Sequence, residues 1–227
     1  MDNIEHQSLE SWFRNQSQSR LGRSYINESF VAKKTALVVV DMQNYFMKSG
    51  FLAACPMAIE IVPVINRMAS DLREKGGVVI WIQTTAAPEA TENWGVYREL
   101  YTPENWERRN TELAEDHEGY EIWPELNTEQ SDLYVKKSRF SAFIPGSSNI
   151  TKELNSHNID TLLISGVATN VCCEATARDA MMLNYRTIMV MDGLAAMTID
   201  YHENALKALY GMFVDVQSSD EICEKLL

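Results

Sequence analysis

No stretch of this chain is apolar for long enough to cross a bilayer, which takes about 20 such residues. Its leading residues, Met1-Asp2-Asn3-Ile4-Glu5-His6, have neither the basic head nor the apolar core of a signal peptide. Positive charge is scarce: 20 Lys and Arg stand against 32 Asp and Glu, a formal net charge of −12. That balance speaks against nucleic acid, whose backbone demands clustered cations, and against an anionic membrane surface. Histidine is rare as well. His6, His117, His157 and His202 lie at no metal-ligand spacing, and no cysteine pair has zinc spacing, so no metal site is expected. The four cysteines, Cys55, Cys172, Cys173 and Cys223, form no disulfide framework, which points to a reduced, cytoplasmic protein. No cofactor signature is found either. Gly76-Gly77 is a helix stop before a strand, not a dinucleotide fingerprint.

What is present is rhythm. With 227 residues there is length for one good core. From residue 35, strands read at 36–40, 78–84, 133–136, 161–165, 187–191 and 213–216. Helices read at about 59–75, 150–156, 171–184 and 202–210. Such alternation predicts an α/β, doubly wound fold: a six-stranded parallel sheet with helices on both faces. Two segments break the pattern. Residues 1–34 form a polar extension whose Leu9, Trp12 and Phe13 fit one helical face; it packs on its own subunit or clasps a neighbour. Residues 86–131 hold Trp94, Tyr97, Tyr101, Trp106, Tyr120 and Trp123. A connection so long and aromatic reads as a lid-like insertion or a substrate wall.

The chemistry concentrates where strands end. The apolar segment Leu162-Leu163-Ile164 runs into a glycine turn and then into Cys172, at the opening of a helix. Free N–H groups at a helix N-terminus stabilise a thiolate, lower its pKa and can hold an oxyanion. A lone cysteine is more often a small core hydrophobe. Asp41 ends the buried-strand run of residues 35–40, where open α/β sheets bind ligands; a turn or N-cap aspartate is the competing reading. Lys137 ends another short strand and lies close to Phe140 and Phe143, which suggests a lined cavity, whereas Lys136 reads as solvated.

Three motifs then agree. Val38-Val39-Val40-Asp41-Met42-Gln43, Lys137-Ser138-Arg139-Phe140-Ser141-Ala142-Phe143 and the segment from Gly166 to Ala180 (Gly166-Val167-Ala168-Thr169-Asn170-Val171-Cys172-Cys173-Glu174-Ala175-Thr176-Ala177-Arg178-Asp179-Ala180) resemble, in order, those of the isochorismatase-like cysteine hydrolases. Together they span most of residues 35–220, and the hydrolase domain is placed at 35–227. The resemblance implies an Asp–Lys–Cys triad of Asp41, Lys137 and Cys172, with Cys172 rather than Cys173 as nucleophile. It implies a cis peptide at Val167–Ala168, and an oxyanion hole made by the Ala168 and Cys172 N–H groups. The sheet order it implies is 3-2-1-4-5-6, with Asp41 and Cys172 flanking the switch point. Nicotinamidases of this family carry a histidine metal site after the second strand. The corresponding Gln83-Thr84-Thr85-Ala86-Ala87-Pro88-Glu89 has no histidine, so the chain departs from that branch.

The implied activity is metal-independent cysteine amidohydrolysis of a small amide or ureido compound through a thioester, closest to the ureidoacrylate and N-carbamoyl branch. The alternatives are an isochorismatase-type vinyl-ether hydrolase, whose relatives typically lack the cysteine, and an inactive binding scaffold. Asn44, Gln83, Trp94 and Arg139 are candidate substrate contacts by position. The family also implies a homodimer or homotetramer.

Overall fold

Val, Leu and Ile fill two strands so completely that no polar face is left. In β1 (Thr35–Val40) every residue is buried, and a continuous apolar run of this kind belongs in the middle of a parallel sheet. The structure, a computed structural model, describes residues 8–227. His6 and the rest of residues 1–6, read above, lie outside the described residues. Beside β1 lie β2 (Val78–Thr84) and then β3 (Leu133–Lys137) on one side. On the other lie β4 (Thr161–Val167), β5 (Arg186–Ala195) and β6 (Asp215–Gln217). The order is β3-β2-β1-β4-β5-β6 and every pairing is parallel. The expected six-stranded doubly wound sheet is therefore the observed one.

Strand alternation divides the core in two. Ala36, Val38 and Val40 pack with Ile150, Leu154, Ala177 and Leu206 on one face; Leu37 and Val39 pack with Ile65, Leu72 and Ile222 on the other. The helices supplying these residues cover both faces. In chain order the α-helices are α1 (Leu9–Leu21), α2 (Asn44–Met47), α3 (Val62–Glu74), α4 (Pro88–Thr91) and α5 (Gly95–Arg98), then α6 (Pro103–Glu112), α7 (Ile150–Ser156), α8 (Glu174–Met182), α9 (Ile199–Leu209) and α10 (Ser219–Lys225).

Several boundaries differ from expectation. The helix expected over 59–75 begins as a 3-10 turn, Pro56–Ile61, before α3 takes over with Pro63 in its first turn. Helix α9 starts at Ile199 because the Thr198 hydroxyl caps the Tyr201 N–H at 3.2 Å. The strand expected over 187–191 continues to Ala195, past a register shift against β4 between Ile164 and Gly166. Helix α10 was not expected; a Ser218–Glu221 capping box starts it.

The N-terminal extension folds back on its own chain. Phe13 of α1 is fully buried, its ring 4.9 Å from that of Tyr210. Arg14 pairs with Glu221 at 3.0 Å, and its Nη2 donates to the Val216 carbonyl at 2.5 Å. Beyond α1, Phe30 exchanges backbone hydrogen bonds with the chain end, Phe30 N to Lys225 O at 3.1 Å and Leu227 N to Phe30 O at 2.8 Å.

Candidate active site

The three motifs converge at the carboxyl ends of β1, β3 and β4. Just past β1, Asp41 turns with a positive φ of 55° while its N–H still bonds the Ile82 carbonyl at 3.0 Å. Aspartate tolerates this left-handed conformation better than most residues. Opposite it, Gly166 has φ 105°, and a Cβ there would lie 2.1 Å from the Val40 carbonyl oxygen. Only glycine allows β4 to pass β1 this closely before the chain turns to the cysteine. The Val167–Ala168 peptide is cis. Thr169–Cys173 form a π-turn that continues into α8, so Cys172 sits within that turn rather than in the first turn of an ordinary α-helix. Wide π-turns of this kind are frequent at functional sites.

Lys137 ends β3, two strands away from Asp41, and its reach comes from register. Lys137 is the direct neighbour of Thr84 at the end of β2. Its stem crosses Thr84, and the Nζ atom arrives 2.8 Å from Asp41 Oδ2 and 3.4 Å from Cys172 Sγ. The ammonium also donates to Thr84 Oγ1 at 2.6 Å and to the Arg139 carbonyl at 3.2 Å. Thr84 in turn donates its hydroxyl proton to Asp41 Oδ1 at 2.9 Å. Asp41, Lys137 and Cys172 are all buried, at 0%, 1% and 7% exposure. By contrast Lys136 is exposed and pairs with Glu115. Cys173 points into the core beneath, fully buried.

Burial and neighbouring charge act in opposite senses on these groups. Burial lowers the Lys137 pKa, but Asp41 and Cys172 outweigh it and hold the ammonium above its usual value. For Cys172, burial pushes the thiol strongly up; Lys137 pulls it back, and the Asp41 carboxylate pushes it up again by Coulomb repulsion and by accepting a hydrogen bond from the thiol. One cation cannot hold two anions in a dry site. Burial and the neighbouring Asp41 thus favour the protonated thiol, beside an Asp41–Lys137 contact of 2.8 Å.

A cavity of about 350 Å³ opens over these groups. Cys172, Lys137, Thr84 and Ala168 form part of its wall, and the insertion supplies Trp94, Tyr97 and Tyr101. Trp94 stacks on Tyr97 with ring centroids 4.1 Å apart, and both rings meet Phe140 edge-on. Of the four positional candidates, Trp94 and Arg139 line the cavity. Asn44 and Gln83 do not. The Asn44 amide donates to the Glu118 carbonyl at 2.8 Å and the Gln83 amide to the Tyr120 carbonyl at 3.0 Å, so both brace the returning end of the insertion. Arg139 spends its guanidinium on the carbonyls of Ala90 (2.9 Å), Ser138 (2.8 Å) and Asn93 (3.2 Å), tying down the start of the insertion. Among the described residues, no group of three or more His, Cys, Asp or Glu side chains could hold a metal ion.

The sequence model of the Isochorismatase domain matches residues 35–221. The chain belongs to the isochorismatase family. Its relatives include the ureidoacrylate amidohydrolase RutB of Serratia proteamaculans (strain 568), 30% identical and covering 87% of this chain and 85% of that protein. RutB of Stutzerimonas stutzeri (strain A1501) is 32% identical, with 85% and 83% covered. Among solved structures, a cysteine hydrolase from Pseudomonas syringae pv. phaseolicola 1448A superposes with a TM-score of 0.81 at 23% identity, over 90% of this chain and 98% of that one. The N-carbamoylsarcosine amidase from Thermoplasma acidophilum gives a TM-score of 0.67 at 28% identity, over 83% and 98%.

Sequence reasoning missed three residues of this isochorismatase-family site. Thr84 bridges the ion pair. Gln43, fully buried, clamps Thr84 in place: its Oε1 accepts from the Thr84 N–H at 2.7 Å, and its Nε2 donates to the Thr84 and Tyr120 carbonyls at 3.1 and 2.9 Å. Its place two residues after Asp41 was the available signal. Arg109, on α6, lines the cavity at 4% exposure, and no signal in the sequence separated it from the exposed Arg108 beside it.

Proposed function

We propose that this protein is a metal-independent cysteine amidohydrolase that cleaves the C–N bond of a small amide or ureido compound. The observation that carries the reading is the position of one buried ammonium, Lys137, in contact with both Asp41 and Cys172. Asp41 Oδ2, 2.8 Å from that ammonium, takes the Cys172 proton as sulfur attacks the carbonyl carbon. The Ala168 and Cys172 N–H groups receive the resulting oxyanion, a contribution of about 3 kcal/mol per donor in comparable holes. Collapse breaks the C–N bond, Asp41 returns the proton to the leaving nitrogen, and a thioester remains. Asp41 then activates water, the S–C bond breaks and Cys172 recovers its proton. The Lys137 ammonium stays beside both Asp41 and Cys172 and balances whichever of the two is the anion.

The activities of the relatives, ureidoacrylate amidohydrolase and N-carbamoylsarcosine amidase, favour an amide or ureido substrate over a vinyl ether. The cysteine at position 172 favours the same choice. Within this reading the protein works in a reducing cytoplasm as a homodimer or homotetramer. The test is a screen of small amides, ureido acids and nicotinamide with ammonia detection, run beside Cys172→Ala. Mass spectrometry of quenched enzyme should show a substrate-derived adduct on the peptide containing Cys172. Turnover by Cys172→Ala, or an adduct on another residue, overturns the assignment.

A further inference from the structure

Arg109 is a buried cation without an anion. It is 4% exposed and lines the same cavity as Cys172 and Lys137. Among the described residues no carboxylate lies within ion-pairing distance of it, although its neighbour Arg108 pairs with Glu112 at 2.7 Å. Its polar neighbours are neutral: Asn110 Oδ1, 3.0 Å from Nη1, and the Tyr97 hydroxyl. The guanidinium rests against the faces of Tyr97 and Trp106, 5.2 and 5.3 Å from the ring centroids. Aromatic faces hold the plane of an arginine in place and leave its edge free to donate.

Such a group is costly to bury unless something completes it. The other two cations on the cavity wall are already committed, Lys137 to Asp41 and Arg139 to three backbone carbonyls. Among the described residues Arg109 makes one side-chain hydrogen bond, to Asn110 Oδ1, which leaves most of its edge free, and a planar fork matches a carboxylate with two parallel hydrogen bonds. We propose that Arg109 binds the carboxylate of the substrate, so that the enzyme selects small amide or ureido acids over their neutral counterparts. Deepening the amidohydrolase reading, this assigns one end of the substrate to Arg109 on the insertion and leaves the scissile carbonyl to Cys172. Tyr97 and Trp106 then act as positioning residues for the guanidinium.

The experiment uses full-length protein carrying Cys172→Ala, in which turnover cannot obscure binding. N-carbamoylglycine, 3-ureidopropanoate and the methyl ester of each are titrated by calorimetry, with and without Arg109→Gln and Arg109→Lys. At least one acid should bind at least about tenfold more tightly than its ester, the scale of one charge-assisted hydrogen bond. Arg109→Gln should remove that preference and leave ester affinity within about twofold, while Arg109→Lys should keep part of it because charge remains without the fork. Acids that bind no better than esters, or a preference that survives Arg109→Gln in protein with an unshifted melting curve, overturn the proposal. Ligand-dependent stabilisation of the wild-type chain by the acids, with no ammonia released from any of them, would instead sink the amidohydrolase reading while leaving Arg109 as the carboxylate site.

Discussion

At the residue scale the site is a small ledger of charge. Thr84 stands between Asp41 and Lys137 as acceptor from one and donor to the other. Thr84→Val should leave the fold intact and lower kcat by roughly 10–100-fold, the worth of hydrogen bonds to charged groups; steady-state kinetics beside a thermal melt would check this. Cys172→Ala should abolish turnover, whereas Cys173→Ala should retain most activity and lose some stability, since Cys173 is a filled core position. The pH dependence has a definite sign. Burial and Asp41 raise the Cys172 pKa, so the thiolate is less populated at neutral pH than in an ordinary cysteine. Iodoacetamide labelling of the unliganded enzyme should therefore be slow at neutral pH and still climbing above pH ~9, beyond the ordinary cysteine range. Removing the cation that opposes this shift, by Lys137→Ala, should move the profile further up. A profile that fell to lower pH would show that Lys137 does not act on the thiol.

At the scale of elements, the crevice depends on β1 and β4 lying unusually close at their ends. Gly166→Ala would place a methyl group 2.1 Å from the Val40 carbonyl at a φ of 105°. The melting temperature should fall by several degrees, at about 2–4 °C per kcal/mol for a chain of this size, and activity should fall with it because the turn to Cys172 starts there. These strands were legible because unbroken Val, Leu and Ile runs leave no alternative to a buried parallel strand. The convergence of Asp41, Lys137 and Cys172 was legible because Asp41 directly follows β1, Lys137 closes β3 and Cys172 lies in the turn after β4, each inside a recognisable motif. Thr84 was not. The strand containing it is plain in the sequence, but its neighbour Gln83 is the residue that position suggests, and one step along a strand points a side chain to the opposite face. Arg109 was hidden for a different reason: on α6 it differs from Arg108 only by which side of a short helix meets the cavity. Register and helix rotation belong to packing, and local sequence carries little of either.

At the scale of the whole molecule, the question is how many chains make the working unit. Val96 and Leu100 on the insertion and Ile199 and Tyr201 on α9 are exposed apolar residues, the kind of surface that marks an interface when it is contiguous. Light scattering at micromolar concentration should report a dimer or tetramer. Because α1 is seated on its own chain, deleting residues 1–22 should lower the melting temperature and leave the assembly state unchanged; a monomeric product would return the extension to a role between subunits. The seat of α1 also carries a consequence for synthesis. Phe13 and Arg14 find their partners in Tyr210, Val216 and Glu221, about 200 residues later in the chain. Helix α1 therefore cannot take its seat until these partners have left the ribosome. Until the final strand and α10 emerge, its apolar side has nowhere to go. A nascent chain interrupted anywhere before residue 210 carries that side exposed, a mark by which unfinished copies differ from finished ones.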